Sequence, residues 1–457
     1  MRRPPRSLAS LAVVFALSGC AGLIHEVAWA RAMGQSLGNS LQALTAVLVA
    51  FLGGLGAGSA IGARAAGRWR DPLRAYAGLE ALLALYGLFS PAVAAAVPGI
   101  LEAFGPECGS PLSLAALRLG LACAALALPT LLMGATFPFL VREAVAGGAV
   151  PGGALAVLYG ANTLGGTLGA LLGSFGLLPI LGTRGSFLAA GLLNAAAAAA
   201  ALLLRARRPA AAPPAETPPV QSPPAEAPAA GQGARLAAFA GVAALSGAVG
   251  AILQVGWTRV AALAFGSSVY ALGITLASYI LGLGAGPLLV GRRLSRPGAA
   301  PTVAAAALAG AGVSSLLLVP ILGRLPIAAA LVSGRMAHSP AVLIAVQFAI
   351  MAGLLLVPTL CQGAAFPALA ACAAGRPGEA HRTAGRLYAA STWGSVAGFV
   401  VAGFAALPLL GTRRALVAAS TASILLAAVP LAFQAGRRRP AWIAAAGLIL
   451  GALLLPQ

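Results

Sequence analysis

Charged side chains are scarce in this chain, and acidic ones most of all. Among 457 residues there are 9 acids, of which Asp71 is the single aspartate, and all 29 basic residues are arginine. Charged residues make up 8% of the sequence, against about 25% in an ordinary soluble domain. Hydrophobic residues make up 60%. This balance excludes an ordinary soluble domain, and also a disordered chain.

Cysteine is also rare, and its five positions form no CxxC pair. We therefore expect neither a disulfide framework nor a zinc site, and we predict no metal, cofactor or catalytic residue. Cys20 invites another interpretation, since it follows Leu17-Ser18-Gly19 at the end of an apolar stretch and resembles the lipidated cysteine of a bacterial lipoprotein signal. The alternative is a permanent membrane helix, which the internal repeat below favours.

The chain does contain a series of apolar runs of roughly 20 residues, each long enough to cross about 30 Å of hydrocarbon. Strands of a membrane barrel would be about 10 residues long and alternating, so the runs predict an all-α polytopic membrane protein. The predicted spans are 8–30, 41–62, 75–100, 112–140, 155–181, 185–204, 236–258, 269–290, 301–323, 341–370, 385–410 and 414–434. The apolar tail 441–455 is either a thirteenth span or an interfacial segment.

The sequence of the first half returns in the second. Ser18–Arg64 and Ser246–Arg292 are identical at 18 of 47 positions without gaps, including the rare tryptophan pair Trp29 and Trp257. Further along, PTLLMGATFP from Pro129 returns as PTLCQGAAFP. A repeat of this size is half a protein, and in a membrane protein it predicts two parallel six-helix repeats, a plan that resembles that of the major facilitator transporters.

This repeat also predicts the domain organisation. Residues 1–204 form the N-terminal six-helix repeat, and 235–436 form the C-terminal one. Between them, 205–234 holds eight prolines and almost no large apolar residues, which is typical of an extended cytoplasmic linker. Residues 437–457 combine a basic segment with the apolar tail.

The net charge of +20 predicts membrane topology rather than nucleic-acid binding. If the N-terminus is cytoplasmic and each half crosses six times, the cytoplasmic segments hold 21 of the 29 arginines. That asymmetry is the positive-inside rule. We therefore expect no nucleic-acid partner, a lipid bilayer around the protein, and a cytoplasmic N-terminus.

Several segments resemble the membrane portion of the fused major facilitator/spermidine synthase family. They are SGCAGLIHEVAWARAMGQSLGNS, FLGGLGAGSAIGARAAGRWRDPLRAYAGLEALLALYGLFSP and PTLLMGATFPFL, with their second-half counterparts, over roughly residues 10–430. The resemblance implies a facilitator-like fold in a bacterial inner membrane and suggests a polyamine as the solute. The family's soluble synthase domain has no counterpart in this sequence, so we predict that the chain is not an enzyme.

Ionisable side chains inside the predicted spans are the candidates for function, because a charge in a bilayer is costly. The first half supplies His25 and Glu26, near the predicted outer end of the first helix, Glu80, about two turns into the third, and Arg118 in the fourth. The functional interpretation is that Glu26 and Glu80 bind a cationic solute or carry protons, with His25 as a relay. Asn162, at the start of the fifth helix, is a further polar candidate.

The alternative interpretation of these acids is structural. Glu26 would then pair with Arg31 or Arg118 and fix its helix near the interface. Glu80 would pair with Arg74 or Arg142 near the inner surface.

Four prolines are candidates for gating. Pro129 and Pro138 lie in the fourth predicted helix, and Pro358 and Pro367 lie at the matching places in the second half. Proline breaks or bends a helix, and matched breaks in two halves point to a solute path.

Two functions remain open at this stage. The first is a secondary transporter that moves a small polar or cationic solute by alternating access. The second is a membrane module that transports nothing and docks a separately encoded soluble enzyme of the aminopropyltransferase type. A polar cavity between the halves, reached by Glu26 or Glu80, favours the first; a sealed core favours the second.

Overall fold

The computed structural model describes residues 8–37, 41–207, 232–266, 269–336, 339–374 and 380–433. Most of the predicted linker 205–234 and all of the tail 437–457 lie outside these ranges. The alternatives for 441–455 therefore stay predictions.

The described part of the chain is built from helices. They are α1 (Leu8–Leu37), α2 (Leu41–Ala66), α3 (Pro72–Phe104), α4 (Pro111–Ala146), α5 (Pro151–Leu171), α6 (Leu178–Ala206), α7 (Gln232–Phe265), α8 (Val269–Leu294), α9 (Ala300–Leu322), α10 (Leu325–Met336), α11 (Pro340–Ala373), α12 (Ala380–Val401), α13 (Leu407–Leu426) and α14 (Ala428–Ala432). Short π-helices, Leu172–Leu177 and Ala402–Ala406, join α5 to α6 and α12 to α13.

Ten of the described segments are long and apolar enough to cross a membrane. Two of them, Pro151–Ala206 and Ala380–Ala432, have 56 and 53 residues, which is enough for two crossings each at about 1.5 Å per residue. The described residues therefore provide enough apolar helix for twelve crossings, and the predicted all-α polytopic fold is confirmed. Between the predicted spans 301–323 and 341–370 the structure adds α10, whose 12 residues are too short to cross.

Each of the two long segments turns at one glycine. Gly182 has φ 65° and ψ −172°, and Gly411 has φ 76° and ψ 163°, a backbone region essentially reserved for glycine. Pro179 and Pro408 follow the π-helices, and a proline cannot donate a hydrogen bond to the carbonyl four residues earlier. These carbonyls belong to Phe175 and Phe404, each within its π-helix. The two halves thus use the same device to pass from one crossing to the next.

Glycines allow the crossings within each half to pack closely. A Cβ on Gly165 of α5 would overlap the carbonyl group of Ala16 in α1, and a Cβ on Gly394 of α12 would overlap that of Ala244 in α7. Small residues let membrane helices approach to backbone contact. The repeat in the sequence is therefore a repeat in helix packing.

The internal prolines do not break their helices, as α4 and α11 continue through them. Pro129 leaves the carbonyl of Ala125 without its helical donor. The hydroxyl of Tyr86 in α3 donates to that carbonyl at 2.5 Å. A neighbouring helix thus supplies the hydrogen bond that the proline removes, which is how prolines are tolerated inside membrane helices.

The two halves meet along two seams, α2 against α12 and α5 against α8. At the first seam, the Ser59 hydroxyl donates to the carbonyl of Gly385 at 3.2 Å. At the second, a Cβ on Gly160 would lie 2.8 Å from the carbonyl oxygen of Gly284. The space between the seams holds the candidate site.

Candidate functional site

A cavity of about 220 Å³ lies between the two halves. Its walls come from α1, α2, α4 and α5 of the first half and from α7, α8 and α12 of the second. Repeat-equivalent residues line it in pairs: Glu26 with Gln254, Leu48 with Leu276, Phe51 with Tyr279, Leu52 with Ile280, and Tyr159 with Tyr388. The cavity therefore lies on the pseudo-symmetry axis that relates the halves.

Glu26 supplies the single carboxyl group among the described residues that line this cavity. It is partly exposed, and no other described residue forms a hydrogen bond or an ion pair with it. Arg31 and Arg118, the structural partners that the sequence suggests, do not line the cavity; the Nε of Arg118 is buried without a hydrogen-bond partner among the described residues.

The position of Glu26 along its helix differs from the prediction. α1 continues to Leu37 instead of ending near residue 30, so Glu26 lies eleven residues from the helix end, or roughly 16 Å at 1.5 Å per residue. An unpaired ionisable group at this depth is costly in a membrane, which makes it a candidate for function.

The rest of the polar lining is neutral. Asn162 and Thr163 of α5 face the cavity, and the hydroxyl of Tyr279 donates to Oε1 of Gln362 at 2.9 Å. The described residues of the lining include no arginine or histidine. Glu26 is therefore the one acidic or basic side chain among the described residues of the lining.

His25 points away from the cavity although it adjoins Glu26 in sequence. It is 1% exposed, and its ring packs on Phe187 of α6 with 6.1 Å between ring centres. Its Nε2 lies 3.5 Å from the amide nitrogen of Asn194, also in α6. The structure thus places His25 between α1 and α6 and does not bring it to the side of α1 that faces the cavity.

Glu80 lies behind the cavity rather than in its lining. It is fully buried, and its Oε1 accepts a hydrogen bond of 2.6 Å from the hydroxyl of Ser18, which does line the cavity. The predicted ion pairs are not formed: Arg74 is exposed, and the guanidinium of Arg142 donates to backbone carbonyls at the end of α2 and in the loop after it. Glu80 therefore has no cationic partner among the described residues.

Four aromatic side chains form a layer at one end of the cavity, which we name the aromatic layer: Phe137, Tyr159, Phe366 and Tyr388. Their ring centres lie 4.8 to 6.4 Å apart. Each half contributes one phenylalanine and one tyrosine at equivalent places, and the phenylalanines directly precede the gating candidates Pro138 and Pro367. The sequence contains a signal for the layer, because both residue types fall in repeated segments, but a repeated residue does not reveal that its two copies meet.

The aromatic layer belongs to the side of the membrane on which α1 begins, which we call the N-terminal side. There both halves share one apolar core, whose members include Val14 and Leu140 of the first half and Leu369 and Leu387 of the second. Towards the other side, one core centres on Trp29 in the first half and another on Trp257 in the second, and Leu23 and Phe175 of the first half also pack against the latter. The cavity is thus closed on the N-terminal side by contacts between the halves.

Comparison with known proteins yields solved structures only. No family model matches the sequence, and no curated protein matches it. The human organic anion transporter MFSD10 (TETRAN) matches with a TM-score of 0.54 and 16% identity, over 94% of this chain and 100% of that chain. A bacterial homologue of the iron transporter ferroportin, in an outward-facing state with soaked iron, matches with a TM-score of 0.57 and 14% identity over the same shares. The nucleoside transporter NupG matches with a TM-score of 0.50 and 16% identity, over 94% and 99%.

The chain has a major-facilitator-like fold. These neighbours share that fold with it across nearly the whole of both chains. At identities of 16% and below, the likeness concerns the fold alone. What the cavity of this protein accepts has to be argued from its own residues.

Proposed function

We propose that this protein is a secondary transporter that carries a small organic cation by alternating access through the cavity between its halves. The observation that carries the proposal is Glu26, an unpaired carboxyl group in a lining whose described residues include no cationic side chain. Transporters with this fold handle different solutes: organic anions, iron and nucleosides in the three proteins above. A negative cavity favours a cation over an anion.

Size and lining narrow the class of solute. At about 220 Å³, the cavity is smaller than the roughly 300–1,000 Å³ of sites for drug-sized ligands. Phe51, Phe137 and Tyr388 line the same cavity as Glu26, and aromatic faces attract ammonium groups. We therefore propose an alkyl amine. Putrescine and spermidine are the first candidates because the sequence resembles the membrane portion of the fused synthase family.

The aromatic layer and the shared core provide the gate for this cycle. For the cavity to open on the N-terminal side, the rings of the two halves must separate. The arginine distribution supports a cytoplasmic N-terminus in a bacterial inner membrane. With that orientation, the closed side is cytoplasmic.

The docking hypothesis receives no support from a specific feature. A module that only holds a soluble enzyme needs no cavity on the axis between its halves, and no unpaired carboxyl group inside it. The cavity and Glu26 therefore support transport over docking.

The test is uptake of labelled putrescine and spermidine into proteoliposomes, with and without an imposed proton gradient. In Glu26→Gln, the loss of a charged hydrogen bond, about 1.5–3 kcal/mol, should raise the half-saturating concentration roughly 10- to 150-fold. Adding Gln254→Glu restores a carboxyl group on the other wall of the same cavity and should recover part of the affinity. Glu102→Gln, at an exposed acid of α3, is the matched control. Wild-type protein that is folded and carries neither amine, or unchanged kinetics in Glu26→Gln, contradicts the proposal.

A further inference from the structure

We infer that Glu80, together with Ser18, forms a proton-binding site that couples a proton to the transport cycle, separate from the solute site at Glu26. The role of this site in coupling rests on the proposed function. The site itself rests on geometry that does not depend on that function.

The geometry is that of a carboxyl group sealed beside the cavity. Glu80 is 0% exposed. Its Oε1 accepts from the Ser18 hydroxyl at 2.6 Å, and its Oε2 is buried with no partner among the described residues. Ser18 in turn lines the cavity. One hydroxyl group thus stands between Glu80 and the space that holds the solute.

The groups around Glu80 offer no positive charge. From α1 it meets Ser18, and on α3 itself the titratable neighbour is Tyr76, whose hydroxyl donates to the carbonyl of Val14 at 3.5 Å. Of the arginines on the adjacent helices, Arg142 of α4 donates to backbone carbonyls, and Arg205 of α6 pairs with Asp71 at 2.5 Å. The others, Arg31 of α1, Arg118 of α4 and Arg184 of α6, form no ion pair with Glu80. An ionised Glu80 would therefore be an uncompensated buried charge, which is strongly unfavourable.

The second half shows what packing alone requires at this place. The positions equivalent to Glu80 and Tyr76 are Leu308 and Ala304, both buried. Two apolar side chains therefore pack at the equivalent positions of the second-half helix without a carboxyl group. The carboxyl group of the first half is an addition that packing does not explain.

The location of Glu80 links its protonation to the gate. Tyr76 and Val14 belong to the apolar core that closes the N-terminal side. Ser18 lies eight residues before Glu26, or roughly 12 Å nearer that side along α1. Separation of this core during the cycle would bring water to Glu80.

The proton step then balances without another reactant. In the closed state the proton is on Oε2, so the group is neutral. When the N-terminal side opens, the Oε2–H bond breaks, the electron pair stays on the oxygen, and the proton passes to water on that side. When the core closes again, Glu80 takes a proton from water in the cavity beside Ser18. One proton thus moves per cycle towards the N-terminal side.

The first experiment detects the proton itself and needs no transported solute. Infrared difference spectra of the purified protein, recorded between alkaline and neutral pH, should show the C=O stretch of a buried protonated carboxyl group. The band should be absent in Glu80→Gln, shifted in Ser18→Ala because its hydrogen bond to Oε1 is lost, and unchanged in Glu102→Gln. A band that persists in Glu80→Gln, or no such band in the wild type at neutral pH, overturns the inference. If Glu80→Gln fails to fold, an unshifted band in Ser18→Ala overturns the inference instead.

The second experiment separates coupling from transport. With a solute that the wild type carries, Glu80→Gln should keep counterflow exchange in the absence of a pH gradient, while its gradient-driven accumulation ratio falls to one. Glu26→Gln should weaken both activities at solute concentrations below its raised half-saturating concentration. Accumulation in Glu80→Gln that still follows the pH gradient overturns the inference. Wild-type accumulation that is driven by a sodium gradient at fixed pH, and is lost in Glu80→Gln, also overturns it, because Glu80 would then belong to a sodium site. If the wild type carries no amine, the proposed function fails and the infrared result still decides the site.

Discussion

Replacing Phe137 with alanine is expected to open the N-terminal side of the protein. Its ring contacts Phe366 and Tyr388 across the interface between the halves, with ring centres 6.2 and 5.6 Å away. It also stacks on Phe15 within its own half at 5.9 Å. Only the first two contacts must break when the halves separate, so only they bias the equilibrium between the closed and open states.

The size of the effect follows from those two contacts. An aromatic pair contributes about 0.5–1.5 kcal/mol beyond simple burial. Losing two pairs removes about 1–3 kcal/mol from the closed state, which raises the ratio of open to closed protein roughly 5- to 150-fold.

A native cysteine can report this shift. Cys372 is 1% exposed and belongs to the core shared by the halves on the N-terminal side. In vesicles that present this side outward, a membrane-impermeant maleimide should label Cys372 faster in Phe137→Ala, as measured by mass spectrometry of the labelled peptide. Cys108, which lies in the connection between α3 and α4 at the opposite side, shows whether the reagent has leaked across.

Phe15→Ala is the matched control. It makes the same chemical change in the same core, but the ring contacts of Phe15, to Tyr76 and Phe137, lie within the first half. It should therefore leave the labelling rate of Cys372 close to the wild-type value. An unchanged rate in folded Phe137→Ala, or an equal rise in Phe15→Ala, would refute the assignment of the aromatic layer as a gate.

Three further predictions concern stability. Gly165→Ala should lower the melting temperature, because overpacking against α1 costs about 1–3 kcal/mol. Gly78→Ala is the control, because its added Cβ meets nothing within 4 Å and should leave the melting temperature unchanged. Equal melting curves for the two variants would contradict the packing described. Gly182→Ala should cost about 1–3 kcal/mol, because its backbone conformation excludes a side chain, and a normal melting temperature would count against this turn. Tyr86→Phe should lower the stability by about 0.6–1.7 kcal/mol. The loss should be smaller in a Pro129→Ala background, where the carbonyl of Ala125 regains its helical donor. A double-mutant cycle with no coupling between the two changes would show that the Tyr86 hydroxyl does not replace the helical hydrogen bond.

The sequence predicts much of this fold because a bilayer leaves few choices. Backbone polar groups must be satisfied within each crossing, so apolar runs of sufficient length become helices. The 228-residue offset between Trp29 and Trp257 then indicates two equivalent halves. The helix α10 is not predicted from the sequence, since a 12-residue helix leaves no apolar run long enough to cross a membrane.

The candidate site is less predictable. His25 and Glu26 are adjacent in sequence and equally unusual in a membrane helix, yet one packs on α6 and the other faces the cavity. Successive helical residues point in directions about 100° apart, and only the neighbours of α1 decide which direction is the cavity. For the same reason, the sequence does not show that Glu80 meets Ser18, which lies 62 residues earlier.

Composition, run length and the internal repeat were by themselves sufficient to determine the class of protein and the equivalence of the halves, because these depend on local chemistry and on the thickness of a membrane. The tertiary structure alone decided that Phe137, Tyr159, Phe366 and Tyr388 meet, that Glu26 has no partner, and that Glu80 is sealed behind the cavity. Those facts depend on how helices pack against each other, within a half and between the halves, and a one-dimensional pattern of residues does not contain the distances between helices.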